Sequence, residues 1–205
     1  MSSNAAVRQG SWIPFALVAL TLIPLVSGTL RLVEVAGGPV LLPDNPRIDA
    51  SPAPVVVHVV GAATYAVVGA FQFSTRVRRT HRGWHRGAGR VLVAAGLLVA
   101  GSGLWMTLFY SGAPGGTLLW SVRLLVGSAM GVCLVLGVAA IRRRAIVVHR
   151  AWMIRAYALG LGAGSQVFTQ GVGQAVFGTG ELSTALSISA GWVVNAAIAE
   201  VVILR

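Results

Sequence analysis

Lysine is missing from this chain, and acids are scarce: sixteen arginines stand against five Asp and Glu in 205 residues. The net charge of +11 therefore rests on guanidinium groups alone. Arginine presents a planar two-pronged fork that suits phosphate. A uniform codon bias explains the same pattern more plainly. Charged residues make up 10% of the sequence, against roughly a quarter in a soluble domain. So few cannot cover a water-facing globule, and lipid is the expected solvent. No nucleic-acid partner is expected, because the charges lie in short connections and form no folded basic face. Cys133 is the single cysteine, within an apolar run. It excludes an intrachain disulfide and any Cys-rich metal or iron–sulfur site, and no metal centre is expected. The nucleotide-binding P-loop, Gly-x-Ser-x-Gly and His-Glu-x-x-His are absent as well.

What is present is apolar length. Hydrophobic residues make up 56% of the chain. A helix needs about 20 of them in a row to cross about 30 Å of hydrocarbon. Runs at about 12–33, 54–75, 91–111, 117–141, 151–177 and 183–204 meet that need. They predict an all-α, polytopic membrane helix bundle. Six transmembrane helices form one membrane domain over residues 1–205, with spans two to five as a four-helix core. Arg8, the first run and Val26-Ser27-Gly28 imitate a signal peptide. The apolar pattern continues to Val33, which is long for such a segment, so the helix is read as retained and kinked at Pro24.

Arginines cluster in the connections 76–90 and 142–150, which fall on one side of a six-span chain. The positive-inside rule makes that side cytoplasmic, together with both termini, in a plasma membrane. The partners expected there are the bilayer and its anionic headgroups, met by Arg86, Arg90 and Arg150 at about 1 kcal/mol each. The two arginine loops also end alike, in His85-Arg86 and His149-Arg150, a weak parallel repeat of helical hairpins.

The fifth run is polar within. Gln166, Gln170 and Gln174 recur every four residues and share a helix face with Arg155. Such a stripe avoids lipid and is expected to face the bundle interior, as interhelical glue or as the wall of a polar path. Gly160-Leu161-Gly162-Ala163-Gly164 reads as close helix packing rather than a dinucleotide loop. Arg123 lies inside the fourth run with Gly127 and Gly131 on its face. It is expected to point into protein and to find a partner at the level of His58, Gln174, Glu34 or Glu181. In the last run Glu200 is a candidate partner for Arg155 or a loop arginine, and Asn195 is a further polar group. His58 is either a hydrogen-bonded interior histidine or a proton or haem site. His85 and His149 begin spans of the same direction. They could meet lipid phosphates, or hold one haem b between them across a four-helix core.

The short motif His85-Arg86 with Gly89-Arg90, and the long one His149-Arg150-Ala151-Trp152-Met153-Ile154-Arg155-Ala156-Tyr157, resemble the domain of unknown function 2306 family. The likeness runs from about His58, through Gly69 and Phe71-Gln72-Phe73, to the fifth span or beyond. It implies a bacterial multi-pass membrane protein and carries no established activity. The helical layout is also similar to the two-haem membrane cytochromes. Here the outer level holds only His58, so at most one bis-histidine haem could be built. The expected function is an integral membrane protein, either a small carrier or a structural component with a polar interior. The alternative is a membrane redox protein with one haem b at His85 and His149.

Overall fold

The computed structural model describes residues 12–205. Arg8, and with it the start of the chain, lies outside them. All regular structure in the described residues is helical. α1 (Ile13–Leu20) and α2 (Leu22–Val35) are followed by a short α3 (Pro46–Ala50). α4 (Ala53–Gln72), the one-and-a-half-turn α5 (Thr75–Thr80), α6 (Arg82–Phe109) and α7 (Gly116–Arg142) come next. α8 (Ile146–Gly160), α9 (Gly162–Phe177) and α10 (Glu181–Leu204) complete the order. α4, α6, α7 and α10 are each long and apolar enough to cross a membrane, and α1 and α2, bent by 49° at their break, meet that test only when taken together. The fifth run of the sequence is two helices split at Leu161. Neither half is long enough to cross alone.

The first break follows from a proline. Pro24 has no N–H to give the carbonyl of Leu20, and its ring crowds that carbonyl. The helix stops at Leu20 and restarts at Leu22. The arginine-rich segment expected as a loop is largely helical. Ser74 caps α5 by accepting from the Val77 amide at 3.4 Å, and α6 begins at Arg82, nine residues before the apolar run. The tight turn into α7 does need glycine: Gly115 and Gly116 take φ of 92° and 54°.

α4, α6, α7 and α8 enclose the core. Tyr65, Leu92, Val99, Met130, Leu134 and Tyr157 are among its buried residues. Tyr157 seats its ring against Gly69 of α4 and donates its hydroxyl proton to the Ala66 carbonyl at 2.7 Å. Its ring centroid lies 5.6 Å from Tyr65 and 4.9 Å from Phe73. The buried Tyr157 tip thus finds a partner, which stabilises a polar group where no water reaches. The outward faces are the reverse of a soluble protein's. Leu125, Phe168 and Val193 are exposed, a surface that suits lipid tails. α10 packs along α9, α8 and α7 at the side of this core.

Candidate functional site

Helix register brings separate parts of the chain together at the arginine-rich end. α4 and α6 run antiparallel. His58 meets Val99 and Ser102, and Gly61 meets Ala95 and Val99. Extending that pairing sets Gln72 opposite the turn His85–Ala88. α5 bridges the two helix ends. Phe71, Val77, His81 and Trp84 line one pocket beneath it. α8 enters from the other side. Its His149 binds the Gly137 carbonyl of α7 through Nδ1 at 2.8 Å. His85 lies within electrostatic reach of Arg78 and His149. Arg78 is itself pushed below the usual arginine range, first by burial and then by Arg150 and Arg79.

Among the described residues, no carboxylate forms an ion pair with any of these groups. Two buried side-chain nitrogens there, Gln72 Nε2 and His85 Nδ1, have no hydrogen-bond partner. Gln72 and Arg78 lie at this end as well, although the sequence marked Gln72 only within the family likeness and gave neither a site role. Gln72 sits in an apolar context and Arg78 is one arginine among several, so only the register signals them. Arg86 and Arg90 are exposed on α6.

His85 and His149 are thus within electrostatic reach of one another. Gly89, one turn deeper on α6, meets nothing within 4 Å. The α8 side is closed. Met153, one turn above His149, fills the notch at Gly137, and Tyr157, a further turn along, fills the notch at Gly69. That packed wall beside the two histidines does not fit a haem.

Arg155 and Gln166 of the fifth run's polar stripe face α10, at the side of the core. Arg155 makes a two-pronged ion pair with Glu200 (Nε–Oε1 2.6 Å, a second nitrogen to Oε2 2.7 Å) and stacks its guanidinium 4.8 Å from the Trp152 ring. Both partners are partly exposed. Deeper, Ser165 donates to Asn195 Oδ1 at 2.6 Å, and Asn195 Nδ2 donates to the Ala158 carbonyl at 3.0 Å. That carbonyl lies one turn before the Leu161 break, so Asn195 supplies a donor where the helix is interrupted. Gln166 packs on Gly191 of α10 with its Nε2 buried and unpartnered. Gln170 and Gln174 are half-buried and make no hydrogen bond among the described residues.

The two breaks touch. Gly164, just after the Leu161 interruption, faces the Leu20 carbonyl so closely that a Cβ there would lie 2.6 Å from its oxygen. Thr21 at the other break is buried and donates to the Val18 carbonyl at 2.8 Å.

At the opposite end Glu34 is wholly engaged. It pairs with Arg31 at 2.7 Å and accepts from the amides of Leu41 and Leu42, each at 2.6 Å. Arg31 also donates to the Pro43 carbonyl at 2.9 Å. The counter-charged cluster expected around Arg123 does not form among the described residues, because Glu34 is spent on its own loop. Arg123 instead feels the like charge of Arg47. Gly127 does pack on α6, where a Cβ would lie 3.0 Å from the Leu104 side chain, while Gly131 opens onto an apolar groove between α6 and α7. His58 Nδ1 lies 3.2 Å from the Val99 carbonyl and 3.1 Å from Ser102 Oγ. The Ser102 hydroxyl has a carbonyl of its own at Leu98, 2.6 Å away. His58 is thus a hydrogen-bonded bridge between α4 and α6. Among the described residues no group of three or more His, Cys, Asp or Glu could hold a metal ion.

Apolar helices of membrane-crossing length, outward-facing hydrophobic side chains and a buried polar seam define the class: a polytopic helical membrane protein. The family model described as "Predicted membrane protein (DUF2306)" matches residues 55–203, and the chain belongs to that family. No curated protein and no solved structure matches the chain.

Proposed function

We propose that the protein is a small carrier of the plasma membrane, with both termini in the cytoplasm. One observation carries this reading: two interrupted helices meet at their breaks inside the bundle, Leu20 against Gly164. Interrupted spans commonly border the substrate path of carriers, because a break frees backbone groups and lets helix halves tilt. Ser165, Gln166 and Asn195 beside this junction would form one wall of the path, and Gln170 and Gln174 would continue it. The arginine-rich end supports the orientation by the positive-inside rule. Arg86, Arg90 and Arg150 there would contact anionic headgroups. A structural component with a sealed seam is the competing role. Single cysteines at Gln166, Gln170 and Gln174, in a Cys133→Ser background, separate the two. A membrane-impermeant maleimide applied to cells and to inverted vesicles should label at least one position from both sides. Labelling from neither side would leave the structural role.

A second reading is a redox protein with one haem b, supported by the nearness of His85 to His149 and by the His149–Gly137 bond that orients the ring. Tyr157 would have to leave Gly69 to admit the macrocycle. The visible spectrum of protein purified from haem-supplied cells decides it. A colourless preparation removes this reading, and colour that survives His149→Ala removes the ligand assignment.

A further inference from the structure

We propose that the fifth span has two forms, broken and continuous, and that Asn195 on α10 pins it in the broken one. This deepens the carrier reading and rests on it for its use, though not for its mechanics. A helix interruption needs a local cause, and proline is absent from residues 151–177. Glycines at 160, 162 and 164 weaken the helix there. A side chain that enters the backbone ladder parts it. Asn195, which is buried, is placed to do so. Its amide nitrogen donates to the Ala158 carbonyl at 3.0 Å. In a continuous helix that carbonyl is the acceptor for the Gly162 amide, four residues on. The Asn195 amide oxygen accepts from Ser165 Oγ at 2.6 Å, beyond the break. One side chain thus holds both halves.

α10 lies across the break as a splint. Ser187 against Gly173, Gly191 against Gln166 and Trp192 against Gly162 join it to α9. Further along, Glu200 joins it to Arg155 of α8. Packing contacts of this kind exchange for lipid contacts at little cost, because lipid tails are as apolar as the side chains. The Asn195 bonds are different, since a polar group in hydrocarbon must find another partner. The continuous form supplies those partners. The Gly162 amide takes the Ala158 carbonyl, and the Ser165 hydroxyl turns back to the Leu161 carbonyl. The Asn195 amide is then free to bond a solute in the path, which is how cargo would favour that form. Gly164 lies against Leu20, so a turn of α9 is felt at the first break as well.

Spin-label distances in the full chain, in lipid nanodiscs and a Cys133→Ser background, test this. One pair joins the exposed Val176 of α9 to Leu118 of α7, and a control pair joins Val60 of α4 to Leu118. The sixteen residues of α9 form a lever of about 24 Å, so a change of direction of about 10° moves its far end by about 4 Å. Asn195→Leu should carry the first distance to a new, equally narrow distribution, shifted by about that much or more. The control distance should stay unchanged. Asn195→Ser removes the same reach and serves if the leucine variant fails to fold. Ser189→Ala, a polar loss elsewhere on α10, should move neither distance. No shift, broadening about the old centre, movement of the control pair, or an equal shift in Ser189→Ala would each overturn the pin. The carrier stands or falls separately. Maleimide labelling from neither side, with the shift observed, would remove the carrier and leave the pin.

Discussion

The two ends of the bundle use charge in opposite ways. At the end carrying the 34–53 connection, Arg31 and Glu34 close on each other and on the backbone of Leu41, Leu42 and Pro43. Charge there folds a loop. At the arginine-rich end Arg78, Arg150, His85 and His149 converge with no acid to absorb them. Charge there is left without an ion pair among the described residues. The difference teaches that an arginine count says little until each guanidinium's neighbours are known. A paired arginine belongs to the fold, and a crowded unpaired one points outward to a ligand or to lipid.

Removing charge at each end should separate the two uses. The largest effect is expected from Glu34→Ala, which deprives three donors of their acceptor and should lower the thermal midpoint in detergent by several degrees. An unchanged midpoint would show that the loop does not depend on this carboxylate. Arg123→Leu should act in the opposite direction and stabilise by about 1 kcal/mol, because it removes a partly buried cation that has no acid partner. A loss of stability in chemical denaturation would reveal a partner for Arg123. Arg78→Gln with Arg150→Gln, measured in lipid-free detergent, should change stability by no more than about 0.5 kcal/mol, since mutual repulsion is relieved as surface charge is lost. A collapse of the fold would place these arginines with Arg31 on the structural side. The smallest effect belongs to the exposed Arg155–Glu200 pair. Exchanging the two residues should cost about 0.5 kcal/mol or less, screened by solvent and salt. A larger cost would mean that the stacking of Arg155 on Trp152 matters more than the ion pair.

The break in the first span shows how far local chemistry carries. Pro24 announces a kink, and the helix duly stops four residues earlier, at the carbonyl that lost its donor. The break at Leu161 has no such marker. Its glycines read as close packing, which Gly162 and Gly164 do provide, against Trp192 and Leu20. Where a glycine-rich helix will part depends on what grips it from outside, and here Asn195 bonds the backbone just before the gap. The glutamine stripe was legible as a shared face because periodicity of four is a property of the helix itself. Which neighbour it would meet was not, since the choice between the bundle centre and α10 is made by packing.

The sequence by itself determined the solvent, the helical class, the approximate spans and the family. Hydrophobic length, charge scarcity and the His149–Tyr157 motif are local properties, read residue by residue. Only the tertiary structure decided that Glu200 meets Arg155 rather than a loop arginine, that Arg123 lacks an acid, and that two broken helices touch. Those pairings join residues up to 144 positions apart, as at Leu20 and Gly164. They depend on helix register and burial across the whole bundle, which no short stretch of chain encodes.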